Sequence, residues 1–356
     1  MTAPRVALAG LLLLLACLVV IVLVFIPRRP SPAGPHAVGR LEVVLQDSRG
    51  RPLLTTVWYP AEGSRGGVLT GAPLAAAAPA PIILYSPGWG GTRAQSSVQA
   101  ENLASHGFVV VGCDDIASDP AFDPDRGRSI ELGSDAALAE TIERDGRHVL
   151  VQAHRLLDAL GALEAGKVPS LAGRLDPTRI GAMGYSVGGA VVVQAGLLDH
   201  RIAAVLNIDG ALLGAPADQI GPQAYLLLSS REAFPTEGEA NSAEPSVRNY
   251  AHLSLVDIPR NMRRLEGPNN YWVMIGSADH DDLSDGLFAL RRNRLFRTNF
   301  SRSAMNEYIG RLEVAYFRDT LLGDHAALRD LAGKDHQNVR WISSTSPMPG
   351  TARARQ

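Results

Sequence analysis

The pentapeptide Gly-Tyr-Ser-Val-Gly at residues 184–188 constrains the fold of this chain more than any other stretch. Residues 179–185 read as a short buried strand, and the apolar residues 189–198 can form a helix. A serine between a strand and a helix lies on a sharp turn, and the two glycines let the backbones approach closely there. The pattern is typical of a nucleophile elbow, which exposes the Ser186 hydroxyl at the carboxyl end of a strand.

The rest of the chain alternates short apolar runs with helical patterns. The runs are continuously hydrophobic, as strands buried on both faces are, whereas residues 232–270 form a long polar stretch. Strands that alternate with helices predict an α/β fold with a mostly parallel central sheet and helices on both faces. Together with the nucleophile elbow, this predicts an α/β-hydrolase fold. The predicted strands are 40–46, 53–59, 81–85, 108–112, 179–185, 203–208, 224–228 and 271–275, and the predicted helices are 93–106, 135–165, 189–198 and 306–322.

A serine nucleophile needs a base, and the base needs an acid that orients it. His280 is the candidate base, because it alone among the histidines occupies the loop after the last predicted strand. Two candidate acids follow predicted strands between the serine and this histidine in chain order. We favour Asp209, because it stands at the tip of the strand after the elbow. Glu232 follows the next strand and is the alternative acid, although Arg231 or solvent can also satisfy its carboxylate.

A glycine-rich segment, Ser-Pro-Gly-Trp-Gly-Gly at residues 86–91, follows one of the buried strands. Glycines at such a position let backbone N–H groups face the negatively charged oxygen of a tetrahedral intermediate. We predict that the N–H groups of Trp89 and Val187 form this oxyanion hole, since Val187 directly follows the serine. An ordinary Pro-Gly turn is the alternative interpretation of the segment.

Together these motifs resemble the platelet-activating-factor acetylhydrolase group of α/β-hydrolases and, more distantly, the bacterial polyester hydrolases. In that family the acid follows the strand after the elbow, as Asp209 does, and the histidine follows the last strand, as His280 does. The second oxyanion donor is the variable residue of a His-Gly-x-Gly motif, here Trp89. Pro87 stands where many members have histidine, and because polyester hydrolases also carry proline there, the substrate class stays open. The resemblance covers roughly residues 56–323, through 56–60, 85–90, 103–110, 184–189, 208–210, 229–235 and 276–280.

An apolar segment near the amino terminus predicts a membrane anchor. Residues 6–26 are unbroken in hydrophobicity, long enough to span a bilayer as a helix, and not followed by a small-residue cleavage site. We predict a transmembrane signal anchor at these residues, after a short tail at residues 1–5. A linker rich in proline and arginine then covers residues 27–39, the α/β-hydrolase domain covers residues 40–345, and a flexible tail covers residues 346–356.

The flanking charges bear on which side of the membrane holds the domain. Arg5 precedes the span, while Arg28, Arg29 and Arg40 follow it, so simple counting favours a cytoplasmic domain. The tail before the span is short, however, as in signal anchors that leave their amino terminus inside, and the resembling groups are mostly secreted or extracellular. We therefore predict an extracytoplasmic domain. The two cysteines are not placed to pair, so no disulfide reports the compartment.

Composition narrows the function further. The formal net charge of −2 gives no reason to expect a nucleic-acid partner. The acidic run at residues 281–285 has no second acidic motif beside it, and we predict neither a metal nor an organic cofactor. Arginines at 291, 292, 294, 297 and 302 are expected to form a solvated face or a contact for anionic lipid headgroups.

The sequence predicts a serine carboxylic-ester hydrolase that acts through an acyl-enzyme. Its expected substrate is a small-molecule or lipid-derived ester, and esters with a short acyl group are one such class. Two alternatives stay open at this point. One is an acyltransferase on the same fold, and the other is a membrane-tethered binding protein that kept the fold without catalysis.

Overall fold

The computed structural model describes residues 26–75, 79–118, 131–289 and 299–346, together with Leu12 and Leu15. The strands of these residues form one sheet. They are β1 (Ala37–Gln46), β2 (Pro52–Ala61), β3 (Val68–Thr70), β4 (Ala80–Ser86), β5 (Val109–Cys113), β6 (Leu175–Tyr185), β7 (Ile202–Ile208), β8 (Ala224–Ser230), β9 (Tyr271–Ile275) and β10 (Val339–Ile342). Their spatial order is β10-β9-β8-β7-β6-β4-β5-β2-β1-β3.

Parallel pairing dominates the sheet. The strands from β5 through β4, β6, β7 and β8 to β9 are parallel to one another. The exceptions lie toward the edges, where β2 is antiparallel to β1 and β5, and β10 is antiparallel to β9. All residues of β4 are buried, which accounts for its uninterrupted apolar sequence. The predicted α/β fold with a mostly parallel sheet is confirmed.

Helices cover both faces of the sheet. The described helices are α1 (Ser97–Ser105), α2 (Asp135–Glu164), α3 (Val187–Leu198), α4 (Glu237–Ala240), α5 (Pro245–Arg264), α6 (Asn299–Leu322) and α7 (Ala326–Ala332). Apolar residues of α2, α3 and α5 pack in one hydrophobic cluster, and those of α1, α6 and α7 pack in a second one. The sheet therefore lies between two helical layers, each closing its own core.

Parallel pairing also determines where chemistry can be assembled. It brings the carboxyl ends of β4, β6, β7, β8 and β9 to one edge of the sheet, which is where open α/β sheets bind their ligands. The polar segments identified from the sequence follow these five strands in turn. They are residues 86–91, Ser186, Asp209, Glu232 and His280.

The polar stretch at residues 232–270 is where the structure differs most from the expectation. It contains α4 and the long helix α5, although no helix is predicted there. Few of the buried residues of α5 are apolar, Ala251 and Ile258 among them, while Leu255 and Val256 are exposed. This distribution hides the periodicity by which an amphipathic helix is recognised. The short edge strands β3 and β10 are likewise absent from the prediction.

The linker predicted at residues 27–39 lies against the domain. Arg29 Nη2 is 2.8 Å from Glu101 Oε1 on α1, and the Gly34 N–H donates to Ser105 Oγ at 2.9 Å. β1 begins at Ala37, inside the predicted linker. Proline-rich composition indicates an extended backbone, but it does not indicate whether that backbone packs on its neighbour.

Several predictions concern residues that lie wholly or partly outside the part of the chain that the structure describes. The described residues include no helix with both the length and the apolarity needed to cross a membrane. The predicted anchor at residues 6–26 lies outside them except for Leu12, Leu15 and Ile26, and most of the predicted tail at 346–356 lies outside them too. So does the arginine-rich stretch up to residue 298. Its last member, Arg302, is buried, so the expectation of a solvated face is wrong at that position.

The close approach of β6 to α3 gives a stability prediction. A Cβ added at Gly184 would collide with the backbone carbonyl of Gly188, whereas one added at Gly161 in α2 would meet nothing within 4 Å. We expect Gly184→Ala to lower the free energy of unfolding by about 2–3 kcal/mol through overpacking. We expect Gly161→Ala to raise it by up to about 1 kcal/mol, because alanine is the better helix former. Denaturant titration of the three proteins measures both changes, and equal effects would contradict this account of the elbow.

Candidate active site

Ser186 connects β6 to α3 in a strained conformation. Its φ is 56°, in the left-handed region that a residue with a side chain rarely adopts. The surrounding backbone holds it there: the Ser186 N–H donates to Ile208 O at 2.8 Å, and the Gly189 N–H donates to Ser186 O at 2.8 Å. Such strain costs on the order of 1–3 kcal/mol and is found where a fold over-determines a residue, often at a functional site.

Asp209 directly follows β7 and is also strained, with a φ of 54°. Its N–H donates to Leu228 O at 2.8 Å, and its Oδ1 accepts from the Ser230 N–H at 2.8 Å. The side chain of Asn207 stabilises the same turn, since it donates to Gly210 O at 2.8 Å and accepts from the Gly210 N–H at 2.9 Å. Sequence reasoning missed Asn207, because an asparagine inside an apolar strand carries no motif.

His280 lies after β9 and pairs with Asp209. The distance from His280 Nδ1 to Asp209 Oδ2 is 2.8 Å, and the histidine ring stacks on Tyr185 with 4.9 Å between ring centroids. Because a carboxylate only accepts hydrogen bonds, this contact places the proton of the neutral imidazole on Nδ1 and leaves Nε2 free to act as a base. The side chain of His280 is 30% exposed, so reactants can reach it.

Two opposing influences act on the pKa of His280. Burial, the largest of them, lowers it by disfavouring the charged ring. The hydrogen bond and the charge of Asp209, together with the charges of Glu232 and Asp281, outweigh burial and raise the pKa above its usual 6.5. The stabilised imidazolium is the form that a general base reaches after it takes a proton.

Glu232 has a different partner from the one expected of a catalytic acid. It lies just after β8, and its Oε2 accepts from the Tyr250 hydroxyl at 3.1 Å. Of the two candidate acids, the structure therefore joins Asp209 to His280 and joins Glu232 to the α5 helix.

These side chains line one cavity of about 230 Å³. Its wall includes Ser186, Val187, Asp209, Glu232 and His280. Trp89 is not part of the wall. In the part of the chain that the structure describes, no hydrogen bond joins Ser186 Oγ to His280, and such contacts commonly tighten only when substrate binds. The other wall residues are mostly apolar or carry hydroxyl and carboxyl groups, for example Ile142, Leu213, Leu227, Leu253, Ile258, Trp272, Ser229, Ser254, Asp145 and Asp257.

The glycine-rich segment at residues 86–91 lies directly beside the serine. A Cβ added at Gly88 would be 3.1 Å from Ser186 Cβ. Three N–H groups of the segment have protein acceptors: that of Gly88 donates to Gln95 Oε1, that of Gly90 to Asp115 Oδ1, and that of Gly91 to Gly88 O. The Trp89 N–H has no acceptor among the described residues.

The second predicted donor belongs to the first residue of α3. The N–H of Val187 has no acceptor within its own helix, as is general for the first turn of a helix. An N–H at this position also lies at the positive end of the helix dipole, which favours a developing negative charge.

Among the described residues, no three His, Cys, Asp or Glu side chains are grouped so that they could hold a metal ion.

Comparison with known proteins gives two findings. Part of the chain is 30% identical, over 134 residues, to a probable 1-alkyl-2-acetylglycerophosphocholine esterase of Arthroderma benhamiae. This enzyme name denotes a platelet-activating-factor acetylhydrolase activity. The predicted resemblance to the platelet-activating-factor acetylhydrolase group is confirmed. The match spans 38% of this chain and about a third (32%) of the length of that relative.

Most of the chain matches the fold of a solved structure. A ferulic acid esterase from Streptomyces cinnamoneus superimposes with a TM-score of 0.60 over 88% of this chain and 98% of that one. The sequences are 21% identical, so the match shows a shared fold. No protein-family model matches the chain.

The pKa of His280 gives a test of the two acids. Because the neutral ring is the base, kcat/KM should rise with pH through the pKa of His280, with a midpoint above 6.5. We expect Glu232→Gln to move this midpoint to lower pH, since it removes a charge that raises the pKa, and to keep the plateau within roughly tenfold. We expect Asp209→Asn to lower the plateau about 10⁴-fold, because the ring loses the acceptor that fixes its tautomer. A pH-stat assay of ester cleavage measures both, and a larger plateau loss for Glu232→Gln would make Glu232 the acid.

Proposed function

We propose that this protein is a serine carboxylic-ester hydrolase that acts through an acyl-enzyme. One observation carries the proposal: a serine in a strained turn and a hydrogen-bonded Asp–His pair, which follow the ends of β6, β7 and β9, line the same cavity. The names of the two similar proteins support it, because both describe enzymes that cleave esters.

The first half of the reaction forms the acyl-enzyme. Nε2 of His280 takes the proton of the Ser186 hydroxyl as its oxygen attacks the ester carbonyl. The carbonyl oxygen becomes an oxyanion, which the N–H groups of Trp89 and Val187 stabilise. His280 then gives its proton to the leaving alkoxide, so the ester bond breaks and an alcohol departs.

The second half regenerates the enzyme. A water molecule replaces the alcohol, His280 takes its proton, and the resulting hydroxide attacks the acyl carbon. The intermediate collapses to a carboxylic acid, and the proton returns to Ser186. In both halves the carboxylate of Asp209 keeps the ring in the correct tautomer and stabilises the imidazolium. If an alcohol enters in place of water, the same steps transfer the acyl group.

The cavity limits the substrate. Its volume of about 230 Å³ and its largely apolar walls fit one small apolar portion of an ester, such as a short acyl group. We propose a small-molecule or lipid-derived ester as the substrate class.

The serine assignment has a matched control in the same cavity. Ser229 also lines the cavity, but its Oγ accepts from Trp272 Nε1 at 2.8 Å and has no histidine partner among the described residues. We expect Ser186→Ala to lose labelling by a fluorophosphonate and to lower the hydrolysis of a short-chain p-nitrophenyl ester by several orders of magnitude. We expect Ser229→Ala to keep the label. Labelling of the Ser186→Ala protein at the parent rate would contradict the proposal, and an unlabelled parent would favour a non-catalytic binding protein.

We further propose that residues 6–26 anchor the enzyme in a membrane with the catalytic domain outside the cytoplasm. The unbroken apolar run supports the anchor. The test is protease added to intact cells or spheroplasts that carry the full chain. We expect the domain to be degraded before the membrane is permeabilised. Degradation only after permeabilisation would place the domain in the cytoplasm, and release of the chain by alkaline washing would contradict the anchor itself.

A further inference from the structure

A second Asp–His pair lies behind the candidate oxyanion hole. Asp115 follows β5, His148 lies on α2, and Asp115 Oδ2 is 2.7 Å from His148 Nε2. Both side chains are buried, with 0% of Asp115 and 6% of His148 exposed. Neither residue takes part in the proton transfers described above, so this short buried contact calls for another explanation.

Asp115 fixes the backbone that follows Trp89. Its Oδ1 accepts from the N–H groups of Gly90 and Ala117, each at 3.0 Å, and its own N–H donates to Gly91 O at 3.1 Å. Gly90 has a φ of 62°, a left-handed conformation for which glycine is suited. With the contact to His148, three donors surround this buried carboxylate, which makes it a rigid anchor for the loop.

His148 fixes the side chain of the same tryptophan. Its ring lies 4.3 Å from the Trp89 ring, with 38° between the planes. The guanidinium of Arg144, one turn earlier on α2, lies 5.0 Å from the centre of the indole, close enough for a cation–π interaction. On the other side of Trp89, the Gly88 N–H donates to Gln95 Oε1 at 2.9 Å.

These contacts restrict the orientation of the peptide that carries the Trp89 N–H. The peptide before it is held by Gln95, the peptide after it is held by Asp115, and the indole is held by His148 and Arg144. We propose that Asp115 and His148 are positioning residues that aim the Trp89 N–H at the oxyanion of the tetrahedral intermediate. The inference rests on the proposed function. Its physical basis is that a donor fixed before the reaction needs no reorganisation as charge develops.

The test compares two substitutions at Asp115. Complete loss of one oxyanion donor lowers kcat by about 10²–10³-fold, so a misaligned donor in Asp115→Ala should lower kcat by about 10- to 100-fold, with KM within roughly threefold of the parent. The inhibition constant of a trifluoromethyl ketone, which mimics the tetrahedral intermediate, should rise by the same factor as kcat falls. Asp115→Asn keeps an amide oxygen that can accept from Gly90, and should recover most of the activity.

A third Asp–His pair provides the control for stability. Asp319 Oδ1 is 2.7 Å from His325 Nδ1 on the opposite face of the sheet, and neither residue lines the cavity. Asp319→Ala should lower stability while leaving kcat unchanged. If Asp115→Ala does not fold, His148→Phe keeps a ring against Trp89 but loses the contact with Asp115, and it should lower kcat about tenfold.

Two results would overturn the inference. One is a kcat for Asp115→Ala within roughly threefold of the parent, and the other is a change in KM without a change in inhibitor affinity. Hydrolysis by the parent protein is measured first, and its absence would reject the proposed function itself. If the parent is active, the roles of Asp115 and His148 are tested by the ratios of kcat, KM and the inhibition constant between each variant and the parent.

Discussion

The site depends on a close backbone contact among three strand ends. Gly188, at the start of α3, lies against the carbonyl groups of residues 86 and 87 at the end of β4, while Ser186 donates its N–H to the last residue of β7. Gly210 in turn lies against the carbonyl of Ser186. No side chain fits at these glycines. The contact therefore holds the serine in its strained conformation and brings the glycine-rich segment and Asp209 beside it.

The two Asp–His pairs near this contact differ in exposure, and the difference agrees with the roles that we propose for them. His280 is 30% exposed beside the serine, so its free nitrogen can exchange protons with substrate and water. His148 is only 6% exposed and packs against Trp89 with its ring tilted, where it can support the loop but cannot reach a reactant. We therefore propose that the same chemical pair serves proton transfer at one position and backbone orientation at the other.

Much of the fold and of the site could be predicted from the sequence, because the relevant signals are local. Buried parallel strands are continuous apolar runs, so β9 was located at its observed bounds. The elbow motif and the chain order point to Ser186, and the ends of the following strands point to Asp209 and His280, as candidate site residues. The helix α5 could not be found, since too few of its buried positions are apolar. Nothing local marks Asp115 and His148, whose contact joins a strand end to a helix far along the chain.

The central claim is that Ser186 attacks a carbonyl whose oxygen then lies between two backbone donors. The most direct test is a crystal structure of the protein after reaction with a fluorophosphonate, which leaves a tetrahedral phosphorus on the nucleophile. The account predicts phosphorus bonded to Ser186 Oγ, with one phosphonyl oxygen at about 2.7–3.1 Å from the nitrogen atoms of both Trp89 and Val187. An adduct on another residue, or a phosphonyl oxygen that contacts neither nitrogen, would contradict it.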